Sequence, residues 1–381
     1  MNRLAVWRVV LAVGGLGLAL APVWWPAWRR APATPVVAAT VALGPLRQSV
    51  DVMARDGAAS VESGGVAYWF FNDTILARAN AAGAQFLDNS VGFTRTPGGL
   101  VLEGDVTDAA GGVLRVVPFT AAELAWQAAH GKMPCAAAPC GETMAIWPGQ
   151  PVLDAARHRL LIPIYVLTRR TGPEWTPYGA GFAVGVLSAS GALTGVERMA
   201  GLLWEAGEFA YADQPVVMGD WLYAFGRDTD WNTFQTEDKL ARVKLTQLGE
   251  RGAWQYYLGG DRWGRDPALA APVFFGGDAG TSVVWNKYLG RWLAVYTPAY
   301  SGDVYFRVAQ AVWGPWSEPA LLFRTQAGWH GVRDYGARMH QEMTQQEGRV
   351  EFVSYARATG LNTQNVEMEK VVFGAAPKAG R

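Results

Sequence analysis

Short apolar and aromatic runs, separated by Gly, Asp, Asn and Pro, follow one another from about residue 50 to residue 373. They lie at residues 66–71, 100–102, 114–117, 160–167, 182–187, 221–225, 240–245, 282–285, 292–296, 304–308 and 350–355. Runs of this length, rich in β-branched and aromatic residues and bounded by turn formers, predict strands. Only residues 120–131 predict a helix, with Glu123 early in its first turn. The chain therefore reads as all-β.

One pattern recurs: an apolar-aromatic strand that ends in a polar turn. It is seen in Tyr68-Trp69-Phe70-Phe71-Asn72-Asp73, Ile164-Tyr165-Val166-Leu167-Thr168-Arg169, Trp221-Leu222-Tyr223-Ala224-Phe225-Gly226-Arg227, Trp292-Leu293-Ala294-Val295-Tyr296-Thr297 and Phe352-Val353-Ser354-Tyr355-Ala356-Arg357. The starts at 68, 164, 221, 292 and 352 are spaced by 96, 57, 71 and 60 residues. Such spacing suits four-stranded blades and predicts a five-bladed β-propeller, with the helix and a cysteine loop in the wide first interval. A two-domain β-sandwich is the alternative, and it does not predict five such segments. The expected organisation is an N-terminal signal or membrane anchor over 1–30, an Ala/Pro-rich linker over 31–48 and the propeller over 49–375.

Charge adds the compartment. Basic and acidic residues balance at 33 each, which argues against a large face for gripping nucleic acid. The first 30 residues carry Arg3, Arg8, Arg29 and Arg30 and no acid, so 29 basic and 33 acidic residues remain for the rest. Residues 9–28 are uncharged, and Pro22 and Pro26 interrupt them, leaving an apolar stretch over 9–21. Arginines followed by such a stretch predict export, as a cleaved signal or a retained anchor. The expected location is periplasmic, secreted or anchored on the outer face of the membrane, with membrane contact only through an uncleaved N-terminal segment. In an oxidising compartment the close pair Cys135 and Cys140 predicts a loop-clamping disulfide. The four histidines, His130, His158, His330 and His340, show no zinc-ligand spacing. No cofactor is expected, although a structural calcium on carbonyl and carboxylate oxygens remains compatible with a propeller channel.

The chemistry concentrates near residue 60. Ser63-Gly64-Gly65 is a turn, so 58–62 and 66–71 should form a hairpin. Pairing Glu62 with Ala67 brings Asp56 opposite Asp73, on one face of the ladder. Two carboxylates so close push one pKa upward, the arrangement in which one serves as acid and the other as base or nucleophile. Asp56-Gly57 and Asn72-Asp73 read equally as simple turn formers.

The Asp-Gly-x-x-Ser hairpin closing on Asn72-Asp73-Thr74 is followed by Asp213-Gln214-Pro215-Val216-Val217-Met218-Gly219-Asp220-Trp221, by 282–292 and by Gly314-Pro315-Trp316-Ser317. Together they resemble a bacterial family long labelled a domain of unknown function, some of whose members are endo-D-arabinanases that cut mycobacterial arabinan. The likeness covers nearly all of the chain after residue 48. It implies a five-bladed propeller glycoside hydrolase with its acids on a first-blade hairpin, carried here by Asp56 and Asp73. The sequence departs from the family's Gly-Asp-Thr at Asn72, which leaves the carboxylate of Asp73 in place.

Further candidates surround that pair. Glu205 and Glu208 offer a third carboxylate or an acidic rim. Arg338 and His340 precede the last blade's strand, and Asn286, Tyr288 and Arg307 lie on or beside blade strands; each is a candidate substrate contact. Trp263, Trp285 and Trp329 are candidate sugar platforms, while most of the 18 tryptophans belong to packing between blades. The expected function is an exported glycoside hydrolase acting on a polysaccharide or oligosaccharide, arabinan-like and on this reading D-arabinan. The competing class is a non-catalytic carbohydrate-binding or surface-interaction propeller.

Overall fold

A computed structural model describes residues 31–95, 99–135, 138–170, 175–361 and 363–375. The predicted export segment, 1–30, lies outside the described residues. The chain is mostly β, in antiparallel sheets that follow one another along the sequence. The first sheet contains Ala59–Ser63, Val66–Phe71, Ser90–Thr94 and Gly104–Asp105. The second is built on Val152–Asp154, Arg159–Arg169 and Trp175–Leu187, and the third on Gln214–Met218, Trp221–Asp230 and Gln235–Lys244. Thr281–Asn286, Arg291–Tyr296, Val304–Ala309 and Ala320–Phe323 form the fourth. Tyr335–Met339, Val350–Gly360 and Thr363–Phe373 form the fifth, and Val37–Pro45 supplies its outer strand. A small sheet of Val52–Arg55, Thr74–Leu76 and Phe86–Leu87 extends the first hairpin.

The segment expected as a linker, 31–48, thus holds a structural strand. Val37–Pro45 pairs antiparallel with Thr363–Phe373, so the two ends of the fold share one sheet. An edge strand is held by its backbone ladder, and most of its side chains are exposed. For that reason it lacks the apolar alternation that would have marked it. Residues 100–102 and 114–117 depart in the opposite sense. They were expected as strands and make only isolated bridges nearby, at Val101 and Val113. The Asn89 side chain accepts from the backbone N–H of Val116 and Val117 at 2.9 and 2.8 Å, replacing the neighbouring strand they would otherwise need. The helix forms as expected over Ala121–His130, with Thr120 and Glu123 as a reciprocal capping box.

Continuous apolar runs appear because both faces of each sheet are covered. Tyr68 and Phe70 pack with Ile146, Leu160 and Ile162 of the second sheet. Trp69 and Phe71, pointing the other way on the same strand, pack with Val350, Phe352 and Met368 of the fifth. Leu161 and Phe182 meet Leu222, Val243 and Trp254 between the second and third sheets. Phe225 and Phe274 meet Val283, Ala294 and Trp316 between the third and fourth. Leu293, Val295 and Phe306 meet Val353, Tyr355 and Phe373 between the fourth and fifth. Each sheet packs on the next and the last packs on the first, a propeller-like ring. The aromatic excess is accounted for mainly by these seams.

The first strands of successive sheets lie side by side around the axis. Contacts of Asp56 with Tyr335 and of Ser60 with His340 show the first and fifth running in the same direction. These innermost strands begin at one end of the ring, the mouth, and finish at the other, the far end.

Candidate active site

The first hairpin pairs as its sequence predicts, with Glu62 opposite Ala67 and Ala59 opposite Phe70. The same register continues into the small sheet, where Arg55 pairs with Thr74. Between these two ladders the Asp56 N–H donates to the Asp73 carbonyl at 3.2 Å, and the Asn72 N–H to the Asp56 carbonyl at 3.0 Å. Gly57 has φ +91°, and a Cβ there would lie 3.0 Å from the Asn72 nitrogen, so the turn requires glycine. Arg55, fully buried, holds Asp105 at 2.9 Å and stacks on Phe71 at 4.3 Å. Thr74 Oγ1 meets Ser90 Oγ at 2.8 Å. Rigid, buried neighbours therefore fix the backbone on which both aspartates sit, at the mouth.

The two carboxyls have unlike surroundings. Asp73 Oδ1 accepts from Arg169 Nη2 at 2.6 Å and from Trp147 Nε1 at 2.8 Å, and its Oδ2 accepts from Arg169 Nη1 at 3.1 Å. Asp73 stays 26% exposed and Arg169 18%. Asp56 Oδ2 accepts from the Tyr335 hydroxyl at 2.6 Å. Its other oxygen is shut off from solvent and meets no partner among the described residues. Burial, then the adjacent Asp73 charge, push the Asp56 carboxyl up to about 7, against the opposing pull of Tyr335 and Arg169. Burial and the Asp56 charge hold the Tyr335 hydroxyl well above its ordinary range, so it remains a donor. Near neutral pH this pair has one carboxyl able to give a proton beside one ion-paired carboxylate.

Of the other predicted residues, Trp329 also reaches the mouth. It is 40% exposed, in the turn Trp329–Gly331 that precedes the fifth sheet's first strand. Arg338 is buried against Asp213 at 3.0 Å. His340 is fully buried, with Nδ1 2.6 Å from Ser60 Oγ and its ring 4.4 Å from Trp69. Arg307 ties strands together through Ser317 O, Tyr296 Oη and Phe275 O. Trp263 packs against Tyr223 and Tyr257 under the Arg242 guanidinium.

The far end takes three candidates away from the aspartates. Asn286 donates to Gly348 O and Glu351 Oε1, both at 2.7 Å, and accepts from Leu289 N at 2.8 Å. Tyr288 Oη donates to Gly374 O at 2.9 Å. Trp285 sits on Trp292 at the strand's end. The Asn286 and Tyr288 side chains are thus used by turns, and Trp285 stays exposed at the end away from the aspartates. Glu208 pairs with Arg251 and caps the Glu205 N–H at 2.7 Å, an exposed rim contact. The Cys135–Cys140 disulfide is formed.

Arg169, Trp147 and Tyr335 are contacts that sequence reasoning missed. A signal for the first existed, since Thr168-Arg169 closes its repeated segment as Gly226-Arg227 and Ala356-Arg357 close theirs. Nothing local marks Tyr335 and Trp147, which come from the fifth and second sheets. Among the described residues no group of three or more His, Cys, Asp or Glu side chains is arranged to hold a metal.

Residues 191–355 match the family described as Domain of unknown function (DUF4185). No curated protein matches the chain in sequence. Among solved structures, the chain is similar to Zg3597, a family 117 glycoside hydrolase from the marine bacterium Zobellia galactanivorans, with a TM-score of 0.51 and 10% identity over 90% of this chain and 92% of that one. It is also similar to a GH43_1 enzyme from Xanthomonas citri complexed with xylose, with a TM-score of 0.48 and 14% identity over 86% and 89% of the two chains. A Cellvibrio cellulosa alpha-L-arabinanase complexed with arabinohexaose gives a TM-score of 0.46 and 12% identity over 83% and 91%. At these identities the likeness to the family 117 enzyme is one of fold, and the chain shares a mostly β, propeller-like fold with it.

Proposed function

We propose that this chain is an exported, five-bladed propeller glycoside hydrolase that cleaves an arabinan-like polysaccharide with Asp56 and Asp73. The observation that carries the reading is the unequal carboxyl pair at the mouth. Asp56, its carboxyl pushed up to about 7 and still partly protonated there, protonates the glycosidic oxygen as the bond breaks. The Asp73 carboxylate, fixed by Arg169 and Trp147, stands against the positive charge that develops on the sugar ring. Tyr335 orients Asp56 and returns hydrogen-bond stabilisation as its charge forms. Five sheet-to-sheet seams closing on themselves support the five-bladed reading. The sequence resemblance supports D-arabinan within the substrate class, and the basic-then-apolar N-terminus supports export.

A second reading, glycan binding without turnover, is favoured by one observation. Arg169 and Trp147 occupy both oxygens of Asp73, which reduces its ability to accept a proton from water. Incubating the protein with linear arabinan, mycobacterial arabinogalactan and xylan, and analysing released oligosaccharides, separates the two. Hydrolysis that disappears in Asp56→Asn and Asp73→Asn supports the enzyme. Retained binding with no release from any glycan supports the second reading and ends the first.

A further inference from the structure

Strand direction sorts the exposed rings into two ends. Trp175 and Tyr178 begin the second strand pair's return, at the mouth end of the second sheet. Trp231 and Phe234 form the mouth hairpin of the third sheet between Trp221–Asp230 and Gln235–Lys244, with Phe275 paired beside them to Glu237. Tyr300 lies in the mouth connection of the fourth sheet, Trp329 before the fifth, and Phe86 in the small sheet under the Arg169 guanidinium. Of the exposed large aromatics among the described residues, Trp285 alone lies at the far end. Seams between sheets would not produce this bias, since they bury rings at both ends alike.

We infer that the mouth-end rings form a docking surface for a neutral glycan chain that extends well beyond the bond at Asp56 and Asp73, with its principal outlying contact on the third-sheet hairpin. The inference rests on the glycan-directed reading above. A depression lined by Asp228, Asp230, Thr233, Gln235, Glu237 and Phe275 lies at this hairpin, beside Trp231 and Phe234. Carboxylates that accept sugar hydroxyls next to rings that cover C–H faces are the chemistry of a sugar contact. The second-sheet rings reach the acid pair directly, because Trp175 packs on Trp147 at 5.5 Å and Trp147 donates to Asp73.

Charge selects the occupant. Four arginines at the mouth are matched by acids, Arg169 by Asp73, Arg333 by Asp278, Arg324 by Asp303 and Arg170 by Glu142. The hairpin itself is acidic, which disfavours a polyanion or an anionic membrane. At the hairpin the depression beside these rings is lined by Asp228, Asp230, Thr233, Gln235 and Glu237 with Phe275 the one apolar side chain, which disfavours an apolar protein interface.

The test uses the full chain carrying Asp73→Asn, so that binding is read without turnover, in affinity electrophoresis against linear arabinan, arabinogalactan and xylan. Adding Trp231→Ala and Phe234→Ala together should weaken retention by the best glycan on the order of 10-fold. Adding Trp285→Ala, at the far end, should leave retention unchanged. Circular dichroism of each variant checks the fold. Equal retention in the hairpin variant, equal loss in the Trp285 variant, or retention by none of the glycans would overturn the inference. Hydrolysis by the wild-type chain is scored separately, so a glycan that binds but is not cut defeats the hydrolase proposal and leaves the docking surface standing.

Discussion

Asp56 in the first sheet and Asp213 in the third occupy similar places and have opposite electrostatic fates. Both sit just ahead of an innermost strand, and both donate their N–H across to the second strand, to Asp73 O at 3.2 Å and to Phe225 O at 3.1 Å. Asp213 then meets cations: Arg338 at 3.0 Å and Arg227 at 3.6 Å, with the Thr281 N–H at 3.0 Å. Burial alone would raise its pKa, yet Arg338 and Arg227 hold it below the usual carboxylate range. Asp56 faces Asp73 and a neutral phenol, and rises to about 7. The difference lies in the charges each meets: Arg338 first and Arg227 second beside Asp213, and Asp73 beside Asp56. Arg169 from the second sheet then neutralises Asp73, leaving Asp56 without a cation of its own.

The comparison can be broken most sharply by activity. Asp56→Asn and Asp73→Asn should each lower kcat on a cleaved glycan by roughly 10³-fold or more, within the range of acid–base groups, while Asp213 variants that fold should retain chemistry. Stability should show the reverse. Asp213→Asn leaves Arg338 and Arg227 buried without their anion, and urea unfolding should register a loss of about 3–5 kcal/mol.

The pH dependence of stability has a definite sign at Asp56. Its folded pKa is raised, so the folded state keeps its proton while the unfolded chain ionises between about pH 4 and 7. Stability from this group is therefore greatest below that window and is lost as pH rises through it. Asp56→Asn should remove that loss, and at pH 8 its Tm should exceed the wild-type value by about 2–4 °C. Tyr335→Phe removes a hydrogen bond that favours the charged form of Asp56. The alkaline limb of the kcat/KM profile should move to higher pH, with a rate loss of roughly 10-fold. Least affected should be Glu208→Ala, where an exposed pair with Arg251 is broken and urea unfolding should change by under about 1 kcal/mol.

Strand content and the five repeated segments were legible because each sheet is buried on both faces, which writes uninterrupted apolar runs into the sequence. Val37–Pro45 was not legible, since a strand held by its ladder at an edge needs no apolar face. The Asp56–Asp73 juxtaposition followed from one local hairpin register, which the turn at Ser63-Gly64-Gly65 specifies. Tyr335, Trp147 and Arg169 did not follow, because they reach the hairpin only after the ring has closed. Asn286 and Tyr288 illustrate the opposite failure: polar residues beside a strand look available for a ligand until the turn that uses them is seen.

The central claim is that burial first, and the adjacent Asp73 charge second, raise the Asp56 carboxyl to about 7, so that it still holds a proton in the neutral range. Selective 13C labelling of aspartate carboxyls, with the Asp56 signal identified by its loss in Asp56→Asn, reads this directly by NMR titration. Wild-type Asp56 should titrate near 7 and move downward in Asp73→Asn. A midpoint near 4 that does not respond to Asp73→Asn would contradict the account.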